Sequence, residues 1–222
     1  MFLVIIFFKA KTRIIQIILK EKSVSMNSRS TVWLRIAGIC GIIAPLIAFT
    51  FILLAITYSP QFSWIENALS DLGIQEGATG ILFNSGLIIG GILALTFASG
   101  VFIFLYEKFL GRTGALVFLS ASLALIAIGV FPENARPMHY YASAAFFALS
   151  SVAMIVIGVA FLLMARLKMG VFTFLAATIA VTVWIAQFTT RFVTGVAIPE
   201  AVSALSTSMW AIVLAFKMLK QA

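Results

Sequence analysis

Residues 79–131 read TGILFNSGLIIGGILALTFASGVFIFLY, then EKFLGR, then TGALVFLSASLALIAIGVF. The two apolar runs contain no charged residue. Each is about as long as the roughly 20 residues a helix needs to cross the hydrocarbon core of a bilayer. The basic, glycine-containing connector at 107–112 is too short to do more than reverse the chain. The runs are therefore expected as antiparallel neighbours, as in an up-down bundle.

Four further runs of the same character lie outside this pair, at 32–58, 138–167, 170–188 and 201–219. Pro45 interrupts the first, where it removes a backbone donor and favours a kink. The expected fold is all-α: a polytopic transmembrane bundle of six helices over 32–222, preceded by a cytoplasmic basic segment at 1–31. Composition agrees. The chain is 63% hydrophobic and 10% charged, with a mean hydropathy of +1.15. Soluble domains carry about 25% charged residues, so this chain cannot cover a water-facing surface.

The charges are one-sided. Thirteen of the 15 Lys and Arg residues fall in the N-terminal segment and at the connectors and end on the same side of the spans. Arg136 and Arg191 fall on the other side, with Glu66, Asp71, Glu76, Glu133 and Glu200. Basic loops stay in the cytoplasm. The expectation is a multi-pass protein of the cell (plasma) membrane with both termini cytoplasmic. The net charge of +8 is dispersed over span ends, so contact with anionic lipid explains it and no nucleic-acid partner is expected. The expected partners are membrane lipids and other membrane protein subunits.

The first 25 residues alternate short apolar stretches with Lys9, Lys11 and Arg13. Two readings stay open: a basic amphipathic helix on the inner leaflet, or a start-site artefact with Met26 as the true start. No small-residue cleavage site follows, which argues against a signal peptide.

Polar residues collect on the side opposite the basic connectors. In SPQFSWIENALSDLGIQEG (59–77), Ile65, Leu69 and Leu72 recur at helical spacing beside Trp64. They suggest a short interfacial helix with its apolar face on the membrane, presenting Glu66, Asn67, Ser70 and Asp71. Asn84 lies more than a turn inside span two. Span three ends in GVFPENARPMH, whose prolines confine Glu133, Asn134 and Arg136 to a short turn before His139. Gln187 and Arg191 are four residues apart, and so on one helical face. Glu200, Ser203 and Thr207 share a face of span six. The Gly86–Gly90 spacing matches a small-xxx-small packing motif.

The candidate ligand-binding set is Asn67, Ser70, Asp71, Asn84, Glu133, Asn134, His139 and Arg191, lining one polar cavity at the membrane edge. Arg191 is expected to pair with Asp71 or Glu133, since a lone Arg near lipid is costly. The single cysteine, Cys40, and the single histidine exclude Cys/His zinc modules and bis-histidine haem ligation. No metal and no cofactor are expected.

The order Ser70-Asp71-Leu72-Gly73, Phe83-Asn84, Gly129-Val130-Phe131-Pro132-Glu133, His139 and Phe147 resembles the membrane family termed domain of unknown function 998. Gly38, Gly41, Pro45 and the Tyr58-Ser59-Pro60 exit fit it too. The resemblance covers about 32–219 and implies a six-span prokaryotic fold, distantly similar to the families related to the autophagy modulator DRAM. It implies no activity.

Three functions remain open. The first is an integral membrane protein with an outward-facing polar pocket that binds a lipid headgroup or small ligand, or a subunit of a membrane complex. Its support is the one-sided polar cluster and the lack of a legible nucleophile–base pair. The second is a membrane-embedded hydrolase or lipid-modifying enzyme with Asp71, Glu133 and His139 as catalytic candidates. The third is a small-solute transporter, for which the span centres offer almost nothing ionisable.

Overall fold

The computed structural model describes the backbone of residues 2–221 and the side chains of residues 30–221. The two readings of the N-terminal segment lie outside the described side chains. Six long helices follow one another: α1 (Phe2–Thr57), α2 (Ala78–Phe104), α3 (Phe109–Val130), α4 (Met138–Leu163), α5 (Leu167–Thr190) and α6 (Ala197–Leu219). Ser30–Thr57 of α1 and all of α2 to α6 are long and apolar enough to cross a membrane. In lipid every backbone polar group must be paired internally, and uninterrupted helices satisfy that condition.

Each helix packs on the next, and α6 returns to α1, closing a six-membered ring. Large apolar side chains such as Ile81, Leu123, Leu163 and Phe188 cover its outside, as a lipid-facing surface requires. The half of the ring nearer the basic connectors is filled by Phe97, Phe118, Met154, Phe161, Trp210 and Leu214. Phe118 stands edge-on to Trp210 at 5.1 Å between centroids, and Phe97 edge-on to Phe118 at 6.0 Å. The other half is a smaller cluster around Ile52, Leu69, Leu72, Phe83 and Ile128. Between them lies a narrow central cavity of ≈ 110 Å³, lined by residues of both clusters together with Pro45, Ser143, Glu200 and Thr207.

The α1–α2 contact is close. Gly86 faces Phe51, Gly90 faces Ala48, and Gly100 faces Ala37 so closely that a β-carbon there would overlap it. The small-residue spacing is thus a packing motif.

The short helix between the first two spans is present as a 3-10 helix, Leu69–Ile74. Its orientation differs from the expected one. Leu69 and Leu72 are buried in the bundle end, against α1, α2 and α6, while Ile65 and Trp64 remain exposed. The cause is backbone pairing. The Leu69 N–H donates to Glu200 Oε2 at 2.6 Å, and Asn84 Nδ2 donates to the Gly73 carbonyl at 2.8 Å. These bonds hold the segment down inside the ring, so its apolar residues fill the core rather than rest on lipid.

Candidate functional site

The polar end of the ring is a set of loops tied together by hydrogen bonds. The Ile65 carbonyl accepts from Gly195 N–H at 2.7 Å and Thr194 Oγ1 at 3.0 Å, and the Asn67 carbonyl accepts from Val196 and Ala197 N–H. Gly195 is needed for this approach, because a β-carbon would strike the backbone of Glu66 and Asn67. Gln187, buried near the end of α5, donates Nε2 to the carbonyls of Val193 (2.9 Å) and Gly195 (3.0 Å).

The eight candidate residues divide. Asn67 and Asp71 serve the loop itself: Asp71 Oδ2 accepts from Asn67 Nδ2 at 3.0 Å and Ala68 N–H at 2.9 Å, and Asn67 Oδ1 accepts from Ser63 N–H. Asn84 braces the 3-10 helix. Asn134 is exposed in its turn. Arg191 is exposed, and among the described residues it pairs with neither Asp71 nor Glu133. That corrects the expected ion pair. Arg191 ends α5 with φ 48 and ψ 47, the left-handed region, so it leaves the helical face it was expected to share with Gln187. Glu133 pairs instead with Arg136 Nη2 at 2.9 Å and accepts from Ser70 Oγ at 3.3 Å.

Ser70, Glu133 and His139 do converge. With Arg136 and Glu200 they form the polar end of a groove of ≈ 1030 Å³ between α4 and α5. Away from that end the groove is lined by Phe147, Val152, Ile155, Val181, Trp184 and Ile185. Its α4 wall runs from His139 to Ile155, about 24 Å at 1.5 Å per residue. The rim residues Tyr140, Val152, Ile155, Ile185 and Phe188 are exposed on the outside of the ring, so the groove opens sideways. Ser70, Ser143, Phe147 and Glu200 also border the central cavity and stand between the two spaces.

Glu200 is buried at 8% exposure, within electrostatic reach of Asp71 and Glu133. His139 is buried at 5% exposure. Its Nδ1 lies 2.7 Å from the Phe131 carbonyl and its Nε2 3.3 Å from Ser143 Oγ. A carbonyl only accepts, so Nδ1 carries the proton of the neutral ring and Nε2 accepts from Ser143. His139 is given no partner from the sequence alone, yet the signal is present. Ser143 follows His139 by four residues, one helical turn. Trp184 has no place in the sequence reading, and Glu200 is placed there at the polar edge but not in the ligand-binding set. Asp71, Glu133 and His139 share no hydrogen bond, and among the described residues no group of three or more His, Cys, Asp or Glu is placed to hold a metal ion.

A ring of six apolar helices with loop-bound polar ends defines a multi-pass membrane protein. The chain belongs to the family described as Protein of unknown function (DUF998), whose model matches residues 42–217. No curated protein and no solved structure matches it.

Proposed function

We propose that this protein binds a membrane amphiphile, its headgroup among Ser70, Glu133, Arg136, His139 and Glu200 and its acyl chain along the α4–α5 groove. The observation that carries the reading is the groove itself, polar at one end, apolar over the rest and open sideways. A water-soluble ligand gains nothing from a long apolar trough, whereas an acyl chain fills one favourably. The Arg136–Glu133 pair supplies both signs of charge at the headgroup level, and Glu200 adds a buried carboxyl group. The groove-bearing end faces outward across the cell membrane, with both termini cytoplasmic; the one-sided distribution of Lys and Arg supports that orientation.

The test is thermal unfolding of the delipidated, detergent-solubilised protein with added long-chain phospholipid. The lipid is expected to raise Tm in a concentration-dependent way. Ala148→Trp, which fills the groove from an exposed wall position, is expected to abolish the increase while the lipid-free Tm stays near wild type. An equal increase in both proteins would sink the assignment. For orientation, single cysteines at Ser28 and Glu76 in a Cys40→Ser background are expected to differ. Only the second is expected to react with an impermeant thiol reagent on intact cells, and external labelling of the first would reverse the topology.

A further inference from the structure

We infer that Ser143 and His139 form a nucleophile–base pair that cleaves the carboxylic ester of an amphiphile held in the α4–α5 groove. The inference rests on the binding reading above and adds a reaction to it. Four observations support it.

The first is the choice Ser143 makes. Ser122, Ser150 and Ser151 each donate their hydroxyl to the carbonyl four residues back, at 2.7–2.9 Å, the ordinary habit of serine in a helix. Ser143 instead meets the imidazole. The second is the ring's orientation. With Nδ1–H held by the Phe131 carbonyl, Nε2 is left as the acceptor facing the hydroxyl, which is the tautomer a general base requires.

The third is an unpaired donor. Trp184 Nε1 is buried without a hydrogen-bond partner. Its ring packs on Phe147 at 5.0 Å between centroids, one helical turn beyond Ser143, and both residues line the groove. A buried N–H without an acceptor is destabilising, so a groove-bound oxygen that the indole can turn to meet is favoured there. The fourth is depth. The 26 residues of α4 extend about 39 Å at 1.5 Å per residue, against a hydrocarbon core of about 30 Å. With α4 upright and centred on that core, Ser143, five residues beyond Met138, sits roughly 3 Å inside the hydrocarbon edge. There the ester links of a glycerolipid join headgroup to chain.

The chemistry follows from these positions. Ser143 Oγ attacks the ester carbonyl as its proton passes to His139 Nε2. The carbonyl oxygen takes up negative charge in the tetrahedral intermediate. The bond from the carbonyl carbon to the alkyl oxygen breaks, and that oxygen takes the proton from the imidazolium and departs as an alcohol. Water then adds to the acyl-serine, giving its proton to Nε2. The proton returns to Ser143 Oγ as the acyl bond breaks, releasing a carboxylic acid.

An alkyl fluorophosphonate tests this on the full chain in detergent. The expected result is one covalent adduct, mapped by peptide mass spectrometry to Ser143. His139→Gln is expected to slow labelling by about 100-fold or more, the usual contribution of a general base. Ser143→Ala is expected to abolish both labelling and release of 4-nitrophenol from a long-chain 4-nitrophenyl ester. Ser143→Ala is also expected to keep the phospholipid-induced rise in Tm, which separates loss of this reaction from loss of the binding reading. Absence of any adduct in the wild-type protein, or an adduct on another residue with Ser143 unmodified, would overturn the assignment without reliance on any variant.

Discussion

The α1–α2 and α4–α5 contacts are both antiparallel neighbours in one ring, yet one is sealed and the other gapes. Along α2, Gly86, Gly90 and Gly100 let the helix lie directly on Phe51, Ala48 and Ala37. Along α4 and α5, Phe147 and Trp184 meet as rings while Ala144, Ala148 and Ala180 leave space beside them. In lipid no hydrophobic force draws helices together, so close van der Waals packing decides. Small residues in register close a seam. Large aromatics alternating with alanines prop one open.

The largest expected effect comes from breaking the sealed contact. Gly100→Leu places a branched side chain into Ala37, and overpacking of this kind costs about 3 kcal/mol. Reversible unfolding in mixed detergent micelles is the measurement, and near-wild-type stability would show that the seam is not tight. The same change in size on the open side, Ala148→Leu, is expected to cost less than about 1 kcal/mol, since it enters free space. A comparable loss at both positions would mean that the groove is closed in solution.

Next in size is Gln187→Leu. It strands the carbonyls of Val193 and Gly195, which are buried and partly buried, at about 1–3 kcal/mol for a buried group left unpaired. Because those carbonyls hold the α5–α6 loop beside the groove's polar end, proteolysis of that loop is expected to accelerate as well. Trp184→Phe is expected to act the other way. It removes a buried donor that lacks a partner, so the lipid-free protein should be unchanged or slightly more stable, while the lipid-induced rise in Tm shrinks. A stability loss equal to that of a core aromatic would mean that the indole N–H is paired. The smallest effect is at Arg191. The residue is exposed and left-handed, and Gly adopts that conformation without strain. Arg191→Gly should be neutral or stabilising by up to about 1 kcal/mol, and a loss above that would restore the ion pair first expected for this side chain.

Hydropathy is additive along the chain, and each span must pair its own backbone in lipid. The six helices and the separation of basic from acidic connectors were therefore legible from residues 30–221 without any knowledge of contacts. The convergence of Ser70, Glu133 and His139 was also legible, since prolines bound the turn that presents two of them. The remaining assignments depended on backbone turns and contacts that no linear pattern displays. The 59–77 loop turns its leucines inward because Glu200, 131 residues beyond Leu69, offers an acceptor there. Arg191 leaves the face of Gln187 because one left-handed residue ends the helix, and helical spacing holds only while the helix continues. The Ser143–His139 pair took its meaning from the Phe131 carbonyl that sets the ring's proton and from the open seam beside it. A linear pattern determines what each segment is. Which polar atoms meet, and where space is left between helices, is decided only when the ring closes.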